Sequence, residues 1–428
     1  MVEYIKEPGV ICFLFSSRYW REDEIKKAYQ ESIKLFDPKT RVTMVKDEEG
    51  LEQFLPNAKG KGTVLIPMSG GVQPWMLKIG KAARFVVIAQ GYFKGFFNDD
   101  IREKMVENNA PPALADAYAV LKRMGVQTEL AYTKEQVNTI LKANAVLASL
   151  HEATILCAGE PEPWVISSVR SGKKIEEKFG IRTKTITLDQ LEERYHNVDA
   201  DVAQKIAEQW SDGAECILEP DKEAVFKAAK LQTAVTDLMQ EYNADCFCAK
   251  CFELIGKIDT TACLALSSLN SSGEVCGACE GDLDSAVSLM IMKRLTGKNP
   301  WMANPIVLEK DKLVLAHCSS PIRGEEPYEY KLRSHHESGT GVSTQVTVPV
   351  QKTVTLMRIG DNMEHIQFFT GIAESQPDIK TCRTRLQIHV DGLEKHVEKA
   401  LGCHYIMVYG DVRSELSVFA KMAKLNIV

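Results

Sequence analysis

Hydrophobic and polar residues follow one another in blocks that predict two α/β units and then a β-rich region. Up to residue 298, short apolar runs alternate with charge-rich amphipathic segments, as where Val10–Phe15 is followed by Arg21–Leu35. Alternating strands and helices of this kind are typical of a parallel sheet. After Trp301 the pattern changes to short alternating strands joined by tight turns, which is typical of an antiparallel barrel or sandwich.

The predicted fold class is therefore α/β, with two doubly wound α/β domains followed by a β-rich, barrel-like C-terminal domain. A chain of 428 residues exceeds the usual size of one core, and we place the domains at residues 1–150, 151–298 and 299–428. The first has strands at Thr63–Met68 and Phe85–Ala89 and a helical stretch, Ala110–Ala153, broken near Gly125. The second has strands at Ala153–Ala158, Thr183–Leu188, Cys246–Phe252 and Cys263–Leu269 and a helix at Glu223–Tyr242. The third has strands at Pro305–Leu308, Lys312–His317, Gln345–Pro349, Thr353–Ile359, Ile366–Ile372 and Tyr405–Tyr409 and helices at Asp391–Leu401 and Arg413–Leu425.

A helix preceded by the polar segment Glu280-Gly281-Asp282 is the clearest local signal in the chain. Apolar residues recur at helical spacing from Leu283 to Leu295, either Asp282 or Asp284 can cap the helix, and Gly297 can end it. In an open α/β sheet, side chains between a strand and a helix handle the ligand. Glu280 is thus a candidate metal ligand or proton-transfer base, or alternatively a residue that helps to cap the helix.

Composition and charge exclude several classes of protein. The net charge of −6 and the absence of a long basic run argue against a nucleic-acid partner. The N-terminus has no signal-peptide core, and no apolar run is long enough for a membrane span, so we expect a cytoplasmic protein. A periplasmic-type sugar receptor shares tandem α/β units, but the missing export signal and the β-rich last third disfavour it.

The twelve cysteines leave two interpretations open. The Cys248/Cys251 and Cys276/Cys279 pairs each have the spacing of a zinc knuckle, although together with Cys246 they do not form a regular pattern. Because both pairs flank apolar segments, buried thiols are the favoured interpretation. Gly159–Trp164 is interpreted as a structural turn, and each histidine, taken singly, as a structural residue.

Several segments, taken together, resemble the L-arabinose/L-fucose isomerase family. The similarity runs from about residue 245 to the C-terminus and is only general before residue 150. Three ordered segments carry it: Cys279-Glu280-Gly281-Asp282 with Leu295-Thr296-Gly297, then Leu315–Pro321 around His317, then Gly402-Cys403-His404-Tyr405 with Gly410-Asp411.

The resemblance implies a metal-dependent aldose–ketose isomerase that acts on a free or modified monosaccharide. The metal polarises the sugar carbonyl, and a base moves a proton between neighbouring carbons through an enediol. It implies Glu280 as ligand and base, and His404 and His317 as ligands of Mn²⁺, with Co²⁺ or Mg²⁺ as substitutes. His336 and Glu337, in a Gly/Ser-rich loop, are expected to contact the substrate. The resemblance also implies a homo-oligomer, a trimer or hexamer.

Asn304 departs from the family pattern. It lies 24 residues after Glu280, where the family has its second catalytic acid. An amide oxygen can bind a cation, but the amide does not transfer protons at neutral pH. We therefore count Asn304 as a metal ligand at the second catalytic position, with Glu337 or Glu309 as stand-in acids. The alternative is a catalytically altered relative that binds a sugar or performs another reaction on it.

Overall fold

The computed structural model describes residues 10–16, 18–34, 36, 41–92, 96–271 and 273–428. The chain divides into two compact units, Met1–Ala145 and Val146–Val428. The predicted division of the second part at residue 298 stays a prediction. Within the described ranges, no helix is both long and apolar enough to cross a membrane.

The first unit is built on a five-stranded parallel sheet of order β2-β1-β3-β4-β5. Its elements are β1 (Val10–Leu14), α1 (Glu22–Ile33), β2 (Val42–Val45), α2 (Glu48–Ala58), β3 (Gly62–Pro67), α3 (Gln73–Ala82), β4 (Phe85–Ala89), α4 (Asp99–Glu107), α5 (Ala110–Arg123), β5 (Thr128–Ala131) and α6 (Lys134–Leu150), which runs past the unit boundary. The parallel sheet was predicted, but β2 and β5 were not. The helical stretch Ala110–Ala153 is in fact interrupted by β5, and Leu35, predicted to end α1, lies outside the described residues.

The second unit begins with a four-stranded parallel sheet of order β10-β9-β6-β7. Its elements are β6 (Thr154–Ala158), α7 (Lys173–Phe179), β7 (Arg182–Ile186), α8 (Leu188–His196), α9 (Ala200–Gly213), β8 (Cys216–Ile217), α10 (Lys222–Glu241), β9 (Cys246–Ala249), α11 (Cys251–Ile258), α12 (Cys263–Ser271), β10 (Cys276–Ala278) and α13 (Leu283–Thr296).

One predicted strand of this part is wrong and another is too long. Cys263–Leu269 lies in helix α12, and the strand predicted for Cys246–Phe252 ends at Ala249, because Cys251 already begins α11. Helix α12 is buried nearly all round, so its apolar run has no polar face that would reveal a helical period. The strand that leads to Glu280 is β10.

The C-terminal part is a closed antiparallel barrel, as predicted for a β-rich region. The strand order β15-β18-β11-β12-β17-β16 closes because β15 also pairs with β16 along its whole length. The elements are β11 (Trp301–Glu309), β12 (Lys312–His317), β13 (Tyr330–Arg333), β14 (Ser343–Val346), β15 (Lys352–Gly360), β16 (His365–Ser375), β17 (Thr384–His389), α14 (Leu393–Val397), β18 (Tyr405–Tyr409), α15 (Arg413–Met422) and β19 (Asn426–Ile427). Strand β19 extends the barrel sheet beside β16, and β13 pairs with β14 and β8 in a small separate sheet.

Helix α13 joins the two layers of this unit. Its buried residues face β9 and β10 of the parallel sheet on one side and β15 and β18 of the barrel on the other. Asp282 caps it by accepting from the backbone N–H of Ser285 at 3.0 Å, and Gly297 ends it in a left-handed conformation, as predicted. The residues just before α13 therefore lie where the sheet meets the barrel.

Candidate active site

Glu280 lies in a strained turn between β10 and α13. Its φ is +60° and that of Gly281 is +66°, in the left-handed region that a glutamate rarely adopts. Two backbone hydrogen bonds hold the turn: Glu280 O accepts from Glu162 N at 2.9 Å, and Gly281 N donates to Ala249 O at 2.8 Å. A Cβ at Gly281 would lie 2.6 Å from the Cα of Pro161, so only glycine fits there. Since Asp282 caps the helix, the Glu280 carboxylate is free for another role.

Glu280, His317 and His404 come together although they are far apart in sequence. Oε1 of Glu280 lies 3.5 Å from Nε2 of His404 and 3.9 Å from Nε2 of His317, and the two imidazole rings are 5.6 Å apart. His317 ends β12 and His404 directly precedes β18, so the two strands that flank β11 in the barrel carry both rings to the end of β10. The His317 side chain is 4% exposed, that of His404 is 0% and that of Glu280 is 13%.

Asp282 fixes the orientation of His404. The Nδ1–H of His404 donates to Oδ2 of Asp282 at 2.8 Å, which leaves Nε2 to face Glu280. Nε2 is fully buried and has no hydrogen-bond partner. A buried ring nitrogen without a partner, on a histidine held by a carboxylate, is the arrangement that metal-binding histidines show.

Arg358 supports Asp282 from behind. Its guanidinium donates to Asp282 Oδ2 at 2.9 Å, to the hydroxyl of Ser285 at 2.9 Å and to the carbonyl of His404 at 3.1 Å. Gly402 lies so close that a Cβ there would be 2.3 Å from Nε of Arg358. Burial would raise the pKa of Asp282, but Arg358 and His404 outweigh it and hold that pKa well below its usual value.

The protonation states of Glu280 and His317 also suit a cation, whereas His404 must release a proton before its Nε2 can bind one. Burial would raise the pKa of Glu280, but the nearby imidazoles of His404 and His317 outweigh it, so the pKa lies below its usual value. Burial, reinforced by the charge of His404, lowers the pKa of His317 to about 4, so this imidazole is neutral at pH 7. Burial also opposes the charged form of His404, yet the hydrogen bond to Asp282 raises its pKa. A carboxylate and two imidazoles form a mixed donor set of the kind that Mn²⁺, Co²⁺ or Zn²⁺ accepts.

Trp164 holds the second oxygen of Glu280. Its indole N–H donates to Oε2 at 2.8 Å, and its ring packs edge-on against Phe252 with centroids 5.1 Å apart. The side chain is nevertheless 52% exposed. The turn Gly159–Trp164 was interpreted as structural only. The sequence signal that could have revealed its role at the site is its position directly after β6, at the same edge of the sheet as the end of β10.

A cavity of about 50 Å³ lies beside Glu280. Asn304, His317 and Glu337 line it, as does His335, whereas His336 is not among its lining residues. Of the two adjacent histidines, the structure therefore places His335, not the predicted His336, at the cavity. Glu309, one of the suggested stand-in acids, is exposed at the end of β11.

The cysteines of the two C-x₂-C pairs are buried free thiols, as the favoured interpretation has them, and within the described residues no group of possible metal ligands unites the pairs. Cys246 and Cys276 face each other in neighbouring strands β9 and β10, and both are buried in the sheet. Cys251 and Cys279 do approach, with their Sγ atoms 3.1 Å apart, and both line the cavity beside Glu280. In the described part of the chain, the groups that could hold a metal are Cys279/Glu280/His317, Asp282/Cys403/His404 and Cys263/Cys318/His335. The first two overlap at the site described above.

Comparison with known proteins identifies distant relatives of one kind. No family model matches the chain. A sulfoquinovose isomerase of Alkalicoccus urumqiensis is 22% identical over 316 residues, which cover 70% of this chain and 69% of the relative. Those of Clostridium sp. (strain MSTE9) and Priestia megaterium (strain ATCC 12872 / QMB1551) are each 23% identical, over 68% and 66% of this chain and 68% and 65% of their own lengths. The prediction that the chain is an enzyme of the aldose–ketose isomerase class, an intramolecular oxidoreductase, is confirmed by these relatives.

Proposed function

We propose that this protein is a divalent-metal-dependent sugar isomerase whose site is built on Glu280, His317 and His404. The observation that carries the proposal is the approach of both imidazoles to one oxygen of Glu280, with Nε2 of His404 buried and unpaired. Asn304 lines the same cavity and can add an amide oxygen. These four residues are the proposed metal ligands. The metal, when bound, would polarise the sugar carbonyl.

The two oxygens of Glu280 have different surroundings, which supports two roles for this residue. Oε1 faces the imidazoles and is the proposed metal ligand, whereas Oε2 accepts from Trp164 and is the proposed base. In that role it removes the proton from the carbon beside the carbonyl and returns it to the former carbonyl carbon. A second group must move the proton between the two sugar oxygens. Glu337, which lines the cavity, is proposed for that step because Asn304 does not transfer protons.

The substrate is proposed to be a monosaccharide or a modified monosaccharide. Sulfoquinovose is the first candidate, since it is the sugar named for the relatives. Free aldoses of the fucose and arabinose type are the next, from the family resemblance. A homo-oligomer, either a trimer or a hexamer, is also proposed from that resemblance, and sedimentation equilibrium measures it directly.

The test combines metal content with isomerisation. Wild type and the Glu280→Gln, His404→Ala and Glu309→Gln variants are equilibrated with Mn²⁺, freed of loose ions and assayed for bound metal. Each is then incubated with the sugars in D₂O, and NMR follows deuterium entry at the carbon beside the carbonyl. We expect wild type and the exposed-carboxylate control Glu309→Gln to bind Mn²⁺ and exchange the proton.

The Glu280→Gln variant should lose exchange, and the His404→Ala variant should lose both metal and exchange. An amide can still donate an oxygen to the metal, so residual Mn²⁺ in Glu280→Gln would separate the base role from the ligand role. Wild-type exchange rates in Glu280→Gln, with Mn²⁺ bound, would exclude Glu280 as the base. Full Mn²⁺ binding in His404→Ala would exclude His404 as a ligand.

A further inference from the structure

A second group of metal-ligating side chains lies beside the Glu280 site and is chemically different from it. The ligand atoms of Cys263, Cys318 and His335 all lie within 4.8 Å of one another, and the three side chains are buried. The thiol-bearing residue Cys382 lines the same cavity as these three side chains. None of these cysteines is in a disulfide. One small volume therefore holds three thiols and an imidazole.

Four separate segments of the second unit supply these side chains. Cys263 begins helix α12, Cys318 directly follows β12, His335 follows β13, and Cys382 precedes β17. Cys263, Cys318, His335 and Cys382 all line the cavity beside Glu280. Nδ1 of His335 is paired with the Ser338 hydroxyl at 3.0 Å, which leaves Nε2 as the nitrogen available to a metal. A second partner of this kind commonly orients a metal-binding histidine.

We propose that Cys263, Cys318 and His335, with Cys382 as the fourth ligand, form a tetrahedral zinc site next to the sugar site. Three thiolates and one imidazole are a usual structural zinc set, and at Zn–S distances of about 2.3 Å the ligand atoms of such a site lie roughly 4 Å apart. The separations among Cys263, Cys318 and His335 need only small side-chain movements to reach that geometry. On binding, each thiol forms a Zn–S bond and releases its proton to solvent.

The position of this site indicates what it does. It connects α12 to the ends of β12 and β13 and the start of β17, all of which border the cavity. Cys318 is the neighbour of His317 along the chain, so a zinc ion there would fix the end of β12 that carries a proposed ligand of the sugar site. Soft thiolates select zinc, whereas the carboxylate, amide and imidazoles of the Glu280 site suit Mn²⁺.

The test uses Co²⁺ as a spectroscopic substitute for zinc in the full-length protein. Metal-free protein, kept reduced, is titrated with Co²⁺, and the near-ultraviolet sulfur-to-cobalt charge-transfer band is recorded. The set comprises wild type, Cys318→Ser, Cys382→Ser, Glu280→Gln and the control Cys216→Ser, a thiol-to-hydroxyl change in β8 outside the cluster. Zinc content of the purified proteins is measured in parallel, and circular dichroism checks that each variant is folded.

We expect the charge-transfer band to saturate at one thiolate-bound Co²⁺ per chain in wild type, Cys216→Ser and Glu280→Gln, because Co²⁺ held by the carboxylate and imidazoles of the Glu280 site adds no such band. The band should be lost in Cys318→Ser and weakened in Cys382→Ser, whose side chain is less buried and should tolerate the change if Cys318→Ser does not fold. Absence of the band in wild type, or its persistence in both cluster variants, would overturn the proposal. This zinc site does not depend on the proposed function, because Glu280→Gln separates the two: it should stop proton exchange and keep the band.

Discussion

The substitution Asp282→Asn would test how the buried network beneath the site controls metal binding. Asp282 is fully buried and makes three contacts: it caps α13 through Ser285, it pairs with Arg358, and it accepts from Nδ1 of His404. Asparagine has nearly the same size and caps helices about as well as aspartate. The substitution therefore removes one negative charge and leaves the cap and the packing in place.

The expected losses of stability and of metal affinity follow from the two groups that lose their charged partner, Arg358 and His404. Removal of one member of a buried ion pair costs about 3–5 kcal/mol. Asp284, 3.8 Å from Arg358, still offsets part of the buried charge of Arg358. We therefore expect the free energy of unfolding to fall by about 3 kcal/mol, the low end of that range. Removal of the carboxylate behind a metal-binding histidine typically lowers metal affinity by about 10–100-fold, and we expect a loss of that size for Mn²⁺.

Asp284→Asn is the matched control, since it makes the same chemical change two residues further along. Burial raises the pKa of Asp284 to about 7, so an amide resembles the form that this residue already partly adopts at neutral pH. Its carboxylate accepts from the backbone of Val169 at 3.1 Å, a bond that asparagine can keep. Urea unfolding of the metal-free proteins gives stability, and calorimetric titration gives Mn²⁺ affinity. Equal Mn²⁺ affinity in the two variants would refute the role of Asp282 behind His404.

Three further predictions concern other parts of the molecule. Trp164→Phe removes the indole N–H that lowers the pKa of Glu280, so the acid limb of the kcat/KM profile should move to higher pH; an unmoved limb would mean that Glu280 is not the titrating base. Asn304→Asp adds a carboxylate to the cavity, and proton exchange beside the sugar carbonyl should rise in D₂O; unchanged exchange with metal bound would mean that Asn304 does not occupy the second-acid position. Hydrogen bonds from Arg333 lower the pKa of Glu219 to about 2, so this contribution is full above pH 4.5 and is lost as the pH falls towards 2. After solvent screening it is worth about 1 kcal/mol in full, and roughly half of it is lost between pH 5 and pH 3. Glu219→Gln should therefore reduce the loss of urea stability over that range by about 0.5 kcal/mol; a loss as large as that of wild type would contradict it.

The centre of the site could be predicted because its signals are local. Strand, polar turn and amphipathic helix succeed one another around Glu280, and the cap at Asp282 and the stop at Gly297 follow general rules of helix ends. His317 and His404 are different, since 37 and 87 residues separate consecutive members of the trio. Only the resemblance to a family linked them, because strand pairing in the barrel decides which strand ends lie side by side.

What the sequence could not predict depends on tertiary contacts. Helix α12 was predicted as a strand because burial on all sides hides its period. The group of Cys263, Cys318 and His335 has no knuckle spacing, since each residue comes from a different element of the unit. The regular C-x₂-C spacings pointed instead to cysteines that the parallel sheet buries. Spacing detects a metal site only when one turn or hairpin carries two of its ligands.

The left-handed conformation of Glu280 explains how the backbone directs this carboxylate at two histidines. A residue in this region costs of order 1–3 kcal/mol and persists only where its surroundings hold it. Here the hydrogen bond from Glu162 and the contact of Gly281 with Ala249 fix the backbone on both sides. Because the turn is left-handed, Asp282 and not Glu280 caps the helix, and the same Asp282 orients His404 towards Glu280. The strained conformation of Glu280 thus leaves helix capping to the carboxylate of Asp282, and backbone geometry sets the direction of the Glu280 carboxylate.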